Sequence, residues 1–279
     1  NGCPPLRAKG PSLAGGKAII DCSKSSQFLS SVLVAAPYAK EDVELEIIGE
    51  LRSKPFIDMT IQSMNDFGID VENHNYERFV VKAGQKYEGR DYNVEGDYTN
   101  ASYFFAAAAI TGGKVKVKNL NPHSVQGDLF LLDILERMGC KVRFGDNFAE
   151  LEGGKLNGIE VDMSDYPDVV QTLAVVAAFA SGRTKIRNIA HLRIKETDRI
   201  AATAIELRKL GADVIEENDS LTVFGGIKNG ASIETYNDHR MAMAFAVAGL
   251  MQEGIIIKDV ECVNKSFPNY FEELAKMGD

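Results

Sequence analysis

The sequence lacks the features that would place the chain in a membrane. No apolar run reaches the roughly 18 residues that a membrane-spanning helix requires. The longest apolar runs, 169–180 and 242–251, instead predict buried helices. The first residues show no charged stretch followed by an apolar core, so we expect no signal peptide in them. With 279 residues, of which 45% are hydrophobic, the chain is expected to form one large or two medium-sized globular domains.

Cysteine and histidine are few and scattered. Cys3, Cys22, Cys140 and Cys262 form no C-x-x-C pair, and the four histidines complete no metal-binding spacing. We therefore expect no metal site. Four unpaired thiols in a chain of this size are typical of a reducing compartment, so the expected location is the cytoplasm.

Basic residues are in the minority. Lys and Arg together number 31 against 40 Asp and Glu, which gives a formal net charge of −9. This balance argues against a nucleic-acid partner, because a general nucleic-acid surface needs a basic stripe. An anionic substrate would have to be attracted by a local group of cations and helix ends instead of by the field of the whole protein.

What the sequence does contain is an internal repeat of about 70 residues. Four segments each open with a polar cluster and a helix of small residues. A β-rich run follows in three clear cases, and then an amphipathic helix that ends near a glycine. The first helices are predicted to begin near Ser25, Thr99, Asp168 and Asp238. The terminal glycines are Gly68, Gly139, Gly211 and Gly278, at spacings of 71, 72 and 67 residues. Glycine just past a helix predicts a left-handed cap.

The rest of each repeat follows from the same patterns. The β-rich runs predict strands at 43–48, 114–119, 184–189 and 255–260. The second helices are predicted at 55–67, 128–138, 198–210 and 268–277. After the first three glycines we expect strands at 69–72, 140–144 and 212–216, with hairpin partners at 79–82, 149–151 and 221–224.

The repeat therefore predicts an α/β fold in which two helices of each unit cover a small sheet. Chance similarity between βα elements is the alternative. The fourth unit lacks the closing strands. The polar stretch 84–90 and the restart at Gly96-Asp97 predict two domains, 1–93 and 94–279.

The stretch 192–200 is the strongest candidate for chemistry, because residues 193–199 contain five charges. Lys195 and Glu196 precede the predicted helix start at Thr197 or Asp198, and Arg199 lies in the first turn. Cations usually avoid a helix N-terminus, where the macrodipole is already positive. Their presence there indicates that an external anion is expected. A solvated helix start is the alternative interpretation.

This stretch resembles the Lys-Glu-Thr-Asp-Arg signature of the 5-enolpyruvylshikimate-3-phosphate (EPSP) synthase family. Six further segments resemble the family in the same order: Ser25-Ser26-Gln27-Phe28, Ser53-Lys54-Pro55, Gly96-Asp97 with Ala101-Ser102-Tyr103, Pro167-Asp168, 236–243, and Lys265-Ser266-Phe267-Pro268. The resemblance runs from about Pro4 to the C-terminus. It implies an inside-out α/β barrel of βαβαββ units in two domains, with the last part of the first domain in 1–93 and the second in 94–279.

The resemblance also implies a reaction. Enolpyruvate would pass from phosphoenolpyruvate to the 5-hydroxyl of shikimate 3-phosphate, through a tetrahedral ketal and with release of phosphate. Such an addition needs one proton delivered to carbon and one removed from a hydroxyl. By resemblance, Asp168 accepts and Glu196 donates these protons. The family implies no metal or organic cofactor, and we expect a monomer. Because roughly the first third of the family's chain has no counterpart here and the sequence begins at Asn1, little or no turnover is expected of these 279 residues.

The substrate contacts are likewise carried over by resemblance. Those to shikimate 3-phosphate are Ser25, Ser26, Gln27, Ser53, Asp168, His191 and Lys195. Those to phosphoenolpyruvate are Gln27, Arg199, Arg240 and Lys265. His191 stands where many members have Asn, and Phe56 where many have Tyr. Without the family, the serines and Asp168 would be helix caps or turn residues, and Glu196 a surface ion-pair partner.

Two other functions compete with this interpretation. The sister enzyme that transfers enolpyruvate to UDP-N-acetylglucosamine has the same architecture, but the Lys-Glu-Thr-Asp-Arg and Ser-Ser-Gln segments argue against it. The other alternative is a non-catalytic protein that keeps a weak anion pocket.

Overall fold

Helices and strands alternate along the chain. The computed structural model describes residue 7 and residues 12–278. The strands are β1 (Gly16–Asp21), β2 (Val43–Ile48), β3 (Val71–His74), β4 (Arg78–Val81), β5 (Lys114–Lys118), β6 (Lys141–Gly145), β7 (Phe148–Glu152), β8 (Glu160–Asp162), β9 (Arg183–Arg187), β10 (Asp213–Glu216), β11 (Leu221–Phe224), β12 (Ser232–Ile233) and β13 (Ile256–Ile257). The α-helices are α1 (Gln27–Ala35), α2 (Lys54–Asp66), α3 (Tyr98–Thr111), α4 (Phe130–Met138), α5 (Val170–Ala178), α6 (Arg199–Lys209), α7 (His239–Ala248) and α8 (Tyr270–Ala275).

The structure divides into two compact units between Tyr92 and Asn93. In the first unit, β1 and β2 run parallel and in register, from Gly16 opposite Val43 to Asp21 opposite Ile48. Antiparallel β4 and β3 complete a sheet of order β1-β2-β4-β3. The core of this unit contains residues of both helices and the sheet, among them Leu29, Leu33, Leu45, Ile57, Met64 and Phe79.

The second unit repeats this sheet order. Its four-stranded sheet has the order β8-β9-β11-β10, with β8 and β9 parallel. A three-stranded sheet has the order β5-β7-β6, which is the same arrangement except that no described strand takes the first place. Strands β12 and β13 form a separate parallel pair. The repeat in the sequence is therefore a repeat in the structure, and each complete copy reads βαβαββ.

The helices of small residues lie at the centre of the second unit. Helices α3, α5 and α7 pack against one another, and all nine residues of α5 are buried. The alanine-rich faces of these helices permit close approach. Helix α5 has no polar side because it is buried all around. The N-terminal halves of α3 and α5 lie close together, with the Ser102 and Thr172 hydroxyls 3.4 Å apart. Within the described residues, no helix combines the length and the apolarity that a bilayer crossing demands.

Most of the predicted elements are confirmed, with boundaries that move by at most two residues. The fourth repeat is the exception. Asp259, at a φ of 45°, diverts the chain into a 3-10 helix, Val260–Lys265, so the strand predicted at 255–260 shrinks to β13. Helix α8 is shorter than the predicted 268–277, and a 3-10 turn, Lys276–Gly278, follows it, so Gly278 does not cap a helix.

Three strands were not predicted, namely β1, β8 and β12. They are two to six residues long, and β8 and β12 are too short to display an alternating apolar pattern. Of the cysteines, Cys22, Cys140 and Cys262 are free thiols, whereas Cys3 lies outside the described residues.

The predicted glycine caps after α2, α4 and α6 are confirmed, because Gly68, Gly139 and Gly211 have φ values of 85°, 119° and 87°. Gly139 has the largest φ of the three. A Cβ at this position would also collide with the backbone carbonyl oxygen of Lys155. Gly182 also has a positive φ, 85°, but a Cβ there would meet nothing within 4 Å.

We predict that Gly139→Ala lowers the free energy of unfolding by about 2 kcal/mol or more, because backbone strain and a collision add. Gly182→Ala is the matched control and should cost about 1 kcal/mol, from strain alone. Urea unfolding of both variants measures the difference. Equal losses would show that the carbonyl of Lys155 does not restrict this position.

Candidate functional site

The candidate site of the second unit lies where paired parallel strands end. Strands β8 and β9 run parallel, and so do β12 and β13, so the segments that follow each pair leave the same edge of their sheet. These segments lead into the 3-10 turn Pro167–Val169, helix α6, helix α7 and the 3-10 helix Val260–Lys265. They carry all the residues predicted from the second half of the sequence.

The centre of the site is Arg199, the first residue of α6, whose side chain is 2% exposed. Its Nε donates to Asp238 Oδ2 at 2.8 Å, its Nη1 to Asp168 Oδ1 at 3.1 Å and its Nη2 to Glu196 Oε2 at 2.8 Å. The three carboxylates come from three different segments. One buried guanidinium therefore joins the starts of α5, α6 and α7.

Asp238 links the two arginines of the site. It is fully buried and caps α7 by accepting a hydrogen bond from the backbone N–H of Arg240 at 2.9 Å. The Arg240 side chain turns to Asp168, where its Nη2 lies 2.8 Å from Oδ2. Asp168 thus contacts one arginine with each oxygen.

Glu196 extends the network toward solvent. One of its oxygens pairs with Arg199 and the other with Nζ of Lys265. The Lys265 side chain is 58% exposed and that of Glu196 is 30% exposed. The structure therefore brings five predicted residues into one bonded network, in the order Lys265, Glu196, Arg199, Asp168 and Arg240.

Two further predicted residues lie nearby. Lys195 is partly buried and close enough to Asp168 to stabilise its charge. His191 is buried within the 3-10 turn Ala190–Ile194.

The electrostatics of the site keep the carboxylates of Asp168 and Glu196 ionised. Burial opposes the charge of Asp168, but Arg240, Arg199 and Lys195 outweigh it and hold the pKa of Asp168 below its usual range. Burial also acts against the charge of Glu196, and Lys265 and Arg199 outweigh it to lower the pKa to about 2. Asp168 is therefore in the ionised form that a proton acceptor must have, whereas Glu196 keeps no proton to donate while both cations are bonded to it.

Arg199 departs from what the sequence alone suggested. The cations before α6 indicated an anion supplied from outside. In the structure the charge of Arg199 is balanced by the protein's own carboxylates. Local sequence could not reveal this, because Asp168 and Asp238 are 31 and 39 residues away. A ligand that reaches Arg199 must exchange with one of these carboxylates.

The residues predicted in the first unit lie at two helix starts. Ser25 Oγ accepts from the backbone N–H of Gln27 at 3.2 Å, and Gln27 itself is exposed. Ser26 and Ser53 hold the N-cap positions of α1 and α2, are 5% and 7% exposed, and make no side-chain cap. Because β1 and β2 are parallel, both helices begin at the same edge of the sheet. Free helix N–H groups at such an edge favour a phosphate.

Asp128 also belongs to the surroundings of the site, although it was not among the predicted residues. It is 5% exposed and accepts a hydrogen bond from the Thr99 hydroxyl. Burial, together with the nearby charge of Asp168, raises the pKa of Asp128 to about 7. Asp97 caps α3 by accepting a hydrogen bond from the backbone N–H of Thr99 at 2.8 Å. In the sequence, Asp128 only marks the start of the helix predicted at 128–138. Its burial could not be predicted, because it depends on the packing of α3, whose Thr99 donates to it.

Comparison with known proteins gives concordant matches. A sequence profile of the family described as EPSP synthase (3-phosphoshikimate 1-carboxyvinyltransferase) matches residues 1–274. Relatives named 3-phosphoshikimate 1-carboxyvinyltransferase include one from Psychromonas ingrahamii, 52% identical over 98% of this chain and 64% of its own length. Another, from Methanoculleus marisnigri, is 52% identical over 99% of this chain and 66% of its own length.

A solved structure agrees with these sequence matches. The EPSP synthase from Acinetobacter baumannii is 28% identical and superimposes with a TM-score of 0.80, over 95% of this chain and 63% of that one. The predicted enolpyruvyl transferase fold is thereby confirmed. The chain spans about two thirds of the length of the curated relatives it matches, 64% and 66% for the two named above.

We predict that Asp238→Ala lowers the free energy of unfolding by about 3 kcal/mol, because it leaves the buried Arg199 short of a partner and removes the cap of α7. Asp133→Ala is the control, since Asp133 is 51% exposed and pairs with Arg137 at 3.6 Å. It should change stability by less than about 0.5 kcal/mol. Denaturant unfolding measures both, and similar losses would contradict a central role for Asp238.

The pKa of Glu196 predicts how stability depends on pH. In the unfolded chain Glu196 takes up a proton near its usual value of 4.5, and in the fold only near 2. Its contribution to stability is therefore present above about pH 4.5 and is lost as pH falls toward about 2. Across this window the wild-type chain should lose more stability than Glu196→Gln, in which all other carboxylates still titrate. Denaturation midpoints measured at several pH values test this, and parallel curves would refute it.

Proposed function

The chain belongs to the EPSP synthase family, and on this premise we propose that it serves the transfer of enolpyruvate from phosphoenolpyruvate to the 5-hydroxyl of shikimate 3-phosphate. Phosphate is released in this reaction, which belongs to the shikimate pathway toward chorismate and the aromatic amino acids. Relatives with 52% identity that carry the name 3-phosphoshikimate 1-carboxyvinyltransferase support the proposal.

The observation that carries the proposal is the network of Arg199, Arg240 and Lys265 around two carboxylates. Two polyanionic substrates that lie side by side require several cations. The addition also requires one group that removes a proton and one that delivers a proton. A single bonded network contains candidates for all of these tasks.

Asp168 is the proposed proton acceptor. Its negative charge is stabilised by Arg199, Arg240 and Lys195, so it is ionised and ready to take the proton of the 5-hydroxyl. His191 and Lys195, on the neighbouring segment, are the proposed contacts to the shikimate ring. In the first unit, Ser25, Ser26, Gln27 and Ser53 are the proposed contacts to shikimate 3-phosphate, with Gln27 also assigned to phosphoenolpyruvate.

Glu196 is the proposed proton donor, and the arrival of phosphoenolpyruvate explains how it gains its proton. The phosphate and carboxylate of this substrate compete with Glu196 for Arg199 and Lys265, with Arg240 beside them. A carboxyl group that loses its cationic partners and gains an anionic neighbour has a raised pKa. Glu196 then binds a proton and can deliver it to the methylene carbon. The binding of phosphoenolpyruvate therefore converts Glu196 into the acid that the reaction needs.

The assignments to whole domains, assembly and location are also proposals. We propose that the unit before Asn93 forms the C-terminal part of the family's first domain and that the rest forms the second. Free thiols at Cys22, Cys140 and Cys262 support a cytoplasmic location. We further propose that the chain acts as a monomer and uses no cofactor.

Calorimetric titration tests the proposed substrates. The chain should bind phosphoenolpyruvate and shikimate 3-phosphate in preference to UDP-N-acetylglucosamine. Arg240→Met should weaken phosphoenolpyruvate binding by at least about tenfold, because it removes a charged hydrogen-bond donor. Arg143→Met, at an arginine on β6 that lies 5.8 Å from the Phe148 ring centroid, is the matched control and should change nothing.

Two results would contradict the proposal. Preference for the nucleotide sugar would favour the sister enzyme. Unchanged phosphoenolpyruvate affinity in the Arg240 variant would favour a protein that binds anions elsewhere and catalyses nothing at this network.

A further inference from the structure

The segment that leads into α7 has an unusual backbone. Tyr236 and Asn237 have φ values of 55° and 56°, so two consecutive residues other than glycine adopt the left-handed region. L-amino acids avoid this region because Cβ approaches the backbone carbonyl oxygen. Such a conformation persists only where surrounding contacts enforce it. The next residue is Asp238, the buried partner of Arg199.

The segment that contains Tyr236 is held by a buried carboxylate, which has no role in the reaction proposed above. Glu206, on α6, is completely buried. Its Oε1 accepts from the Tyr236 hydroxyl at 2.7 Å, and its Oε2 accepts from the backbone N–H of Glu234 at 3.2 Å. Lys209 Nζ donates to both oxygens, at 2.9 and 2.8 Å, and balances the charge.

Helix α6 therefore binds the segment 234–238 through two of its side chains. Arg199 and Glu206 are seven residues apart, about two helical turns, so both side chains leave the same face of α6. Arg199 holds Asp238, and Glu206 holds Tyr236. A turn lies between these two contacts. It is closed by a hydrogen bond of 2.9 Å from the backbone N–H of Asp238 to the carbonyl oxygen of Thr235.

We propose that Glu206 and Tyr236 are positioning residues of the anion site, which fix the left-handed turn and through it the orientation of Asp238, Arg199 and Arg240. The identity of the anion rests on the function proposed above, whereas the positioning itself does not. Burial and the hydrogen bond to Glu206 hold the pKa of Tyr236 above its usual range, so its hydroxyl keeps its proton and remains a donor.

Tyr236→Phe tests the proposal with a close control. It removes the hydroxyl but keeps the ring. Tyr270→Phe removes a buried hydroxyl whose hydrogen bond has the same length, 2.7 Å, but ends on the carbonyl oxygen of Met243 within α7. Because Tyr236 is 38% exposed and Tyr270 is fully buried, a merely structural role predicts the larger effect in Tyr270→Phe. A positioning role predicts the larger effect on Arg199 in Tyr236→Phe.

The first readout is the ¹⁵N-resolved NMR signal of the Arg199 Nε–H, assigned by its absence in Arg199→Lys. This proton bonds to Asp238 and should exchange slowly with solvent. In Tyr236→Phe we expect its exchange to accelerate by about tenfold, the usual equivalent of one lost hydrogen bond. In Tyr270→Phe the rate should stay within about twofold of wild type. Thermal unfolding should show that Tyr270→Phe is destabilised at least as much as Tyr236→Phe.

The second readout is phosphoenolpyruvate binding, which should weaken several-fold in Tyr236→Phe alone. An Arg199 signal that is unchanged in Tyr236→Phe would overturn the proposal. If that signal changes while no chain binds phosphoenolpyruvate, the positioning stands and the proposed substrate fails. Should Tyr236→Phe not fold, Glu206→Gln replaces it, because the amide keeps the volume but cannot accept from all three donors. An unchanged Arg199 signal there would overturn the proposal equally.

Discussion

The burial of the Arg199 guanidinium is the constraint on which the second unit depends. Removing a full positive charge from water costs several kcal/mol, which only well-placed carboxylates can offset. Asp168, Glu196 and Asp238 offset it here, each from a different segment. The starts of α5, α6 and α7 must therefore keep a fixed relation to each other, because a shift of any one would leave a buried charge without a partner.

The repeated architecture makes this arrangement accessible. Three of the four repeats place the starts of their helices at the carboxyl edge of a parallel strand pair. The small residues of α3, α5 and α7 allow these helices to approach closely at the centre of the unit. Helix ends from different repeats then meet at one place, where charge and free N–H groups accumulate. The cations that the proposed reaction requires are thus gathered in a chain whose net charge is −9.

Much of the fold could be predicted because its signals are local. The left-handed cap at Gly139 follows from a glycine after an amphipathic helix. Strands such as 221–224 follow from short β-rich runs. The partners of Arg199, the burial of Asp128 and the left-handed turn at Tyr236 could not be predicted, because each depends on contacts between segments tens of residues apart. Resemblance to a family supplied candidate residues, but not the ion pairs that set their pKa values.

In the proposed reaction, the same ion pairs must rearrange before catalysis. Glu196 is bonded to the two cations that phosphoenolpyruvate is proposed to occupy, so substrate binding must rearrange the network that stabilises the site. A double-mutant cycle with Arg199→Gln and Asp168→Asn, measured by denaturant unfolding, tests the central role of Arg199 most directly. A coupling energy of at least about 1.5 kcal/mol is expected, because the two side chains stabilise the fold as a pair. Additivity within about 0.5 kcal/mol would show that Arg199 does not hold the site together.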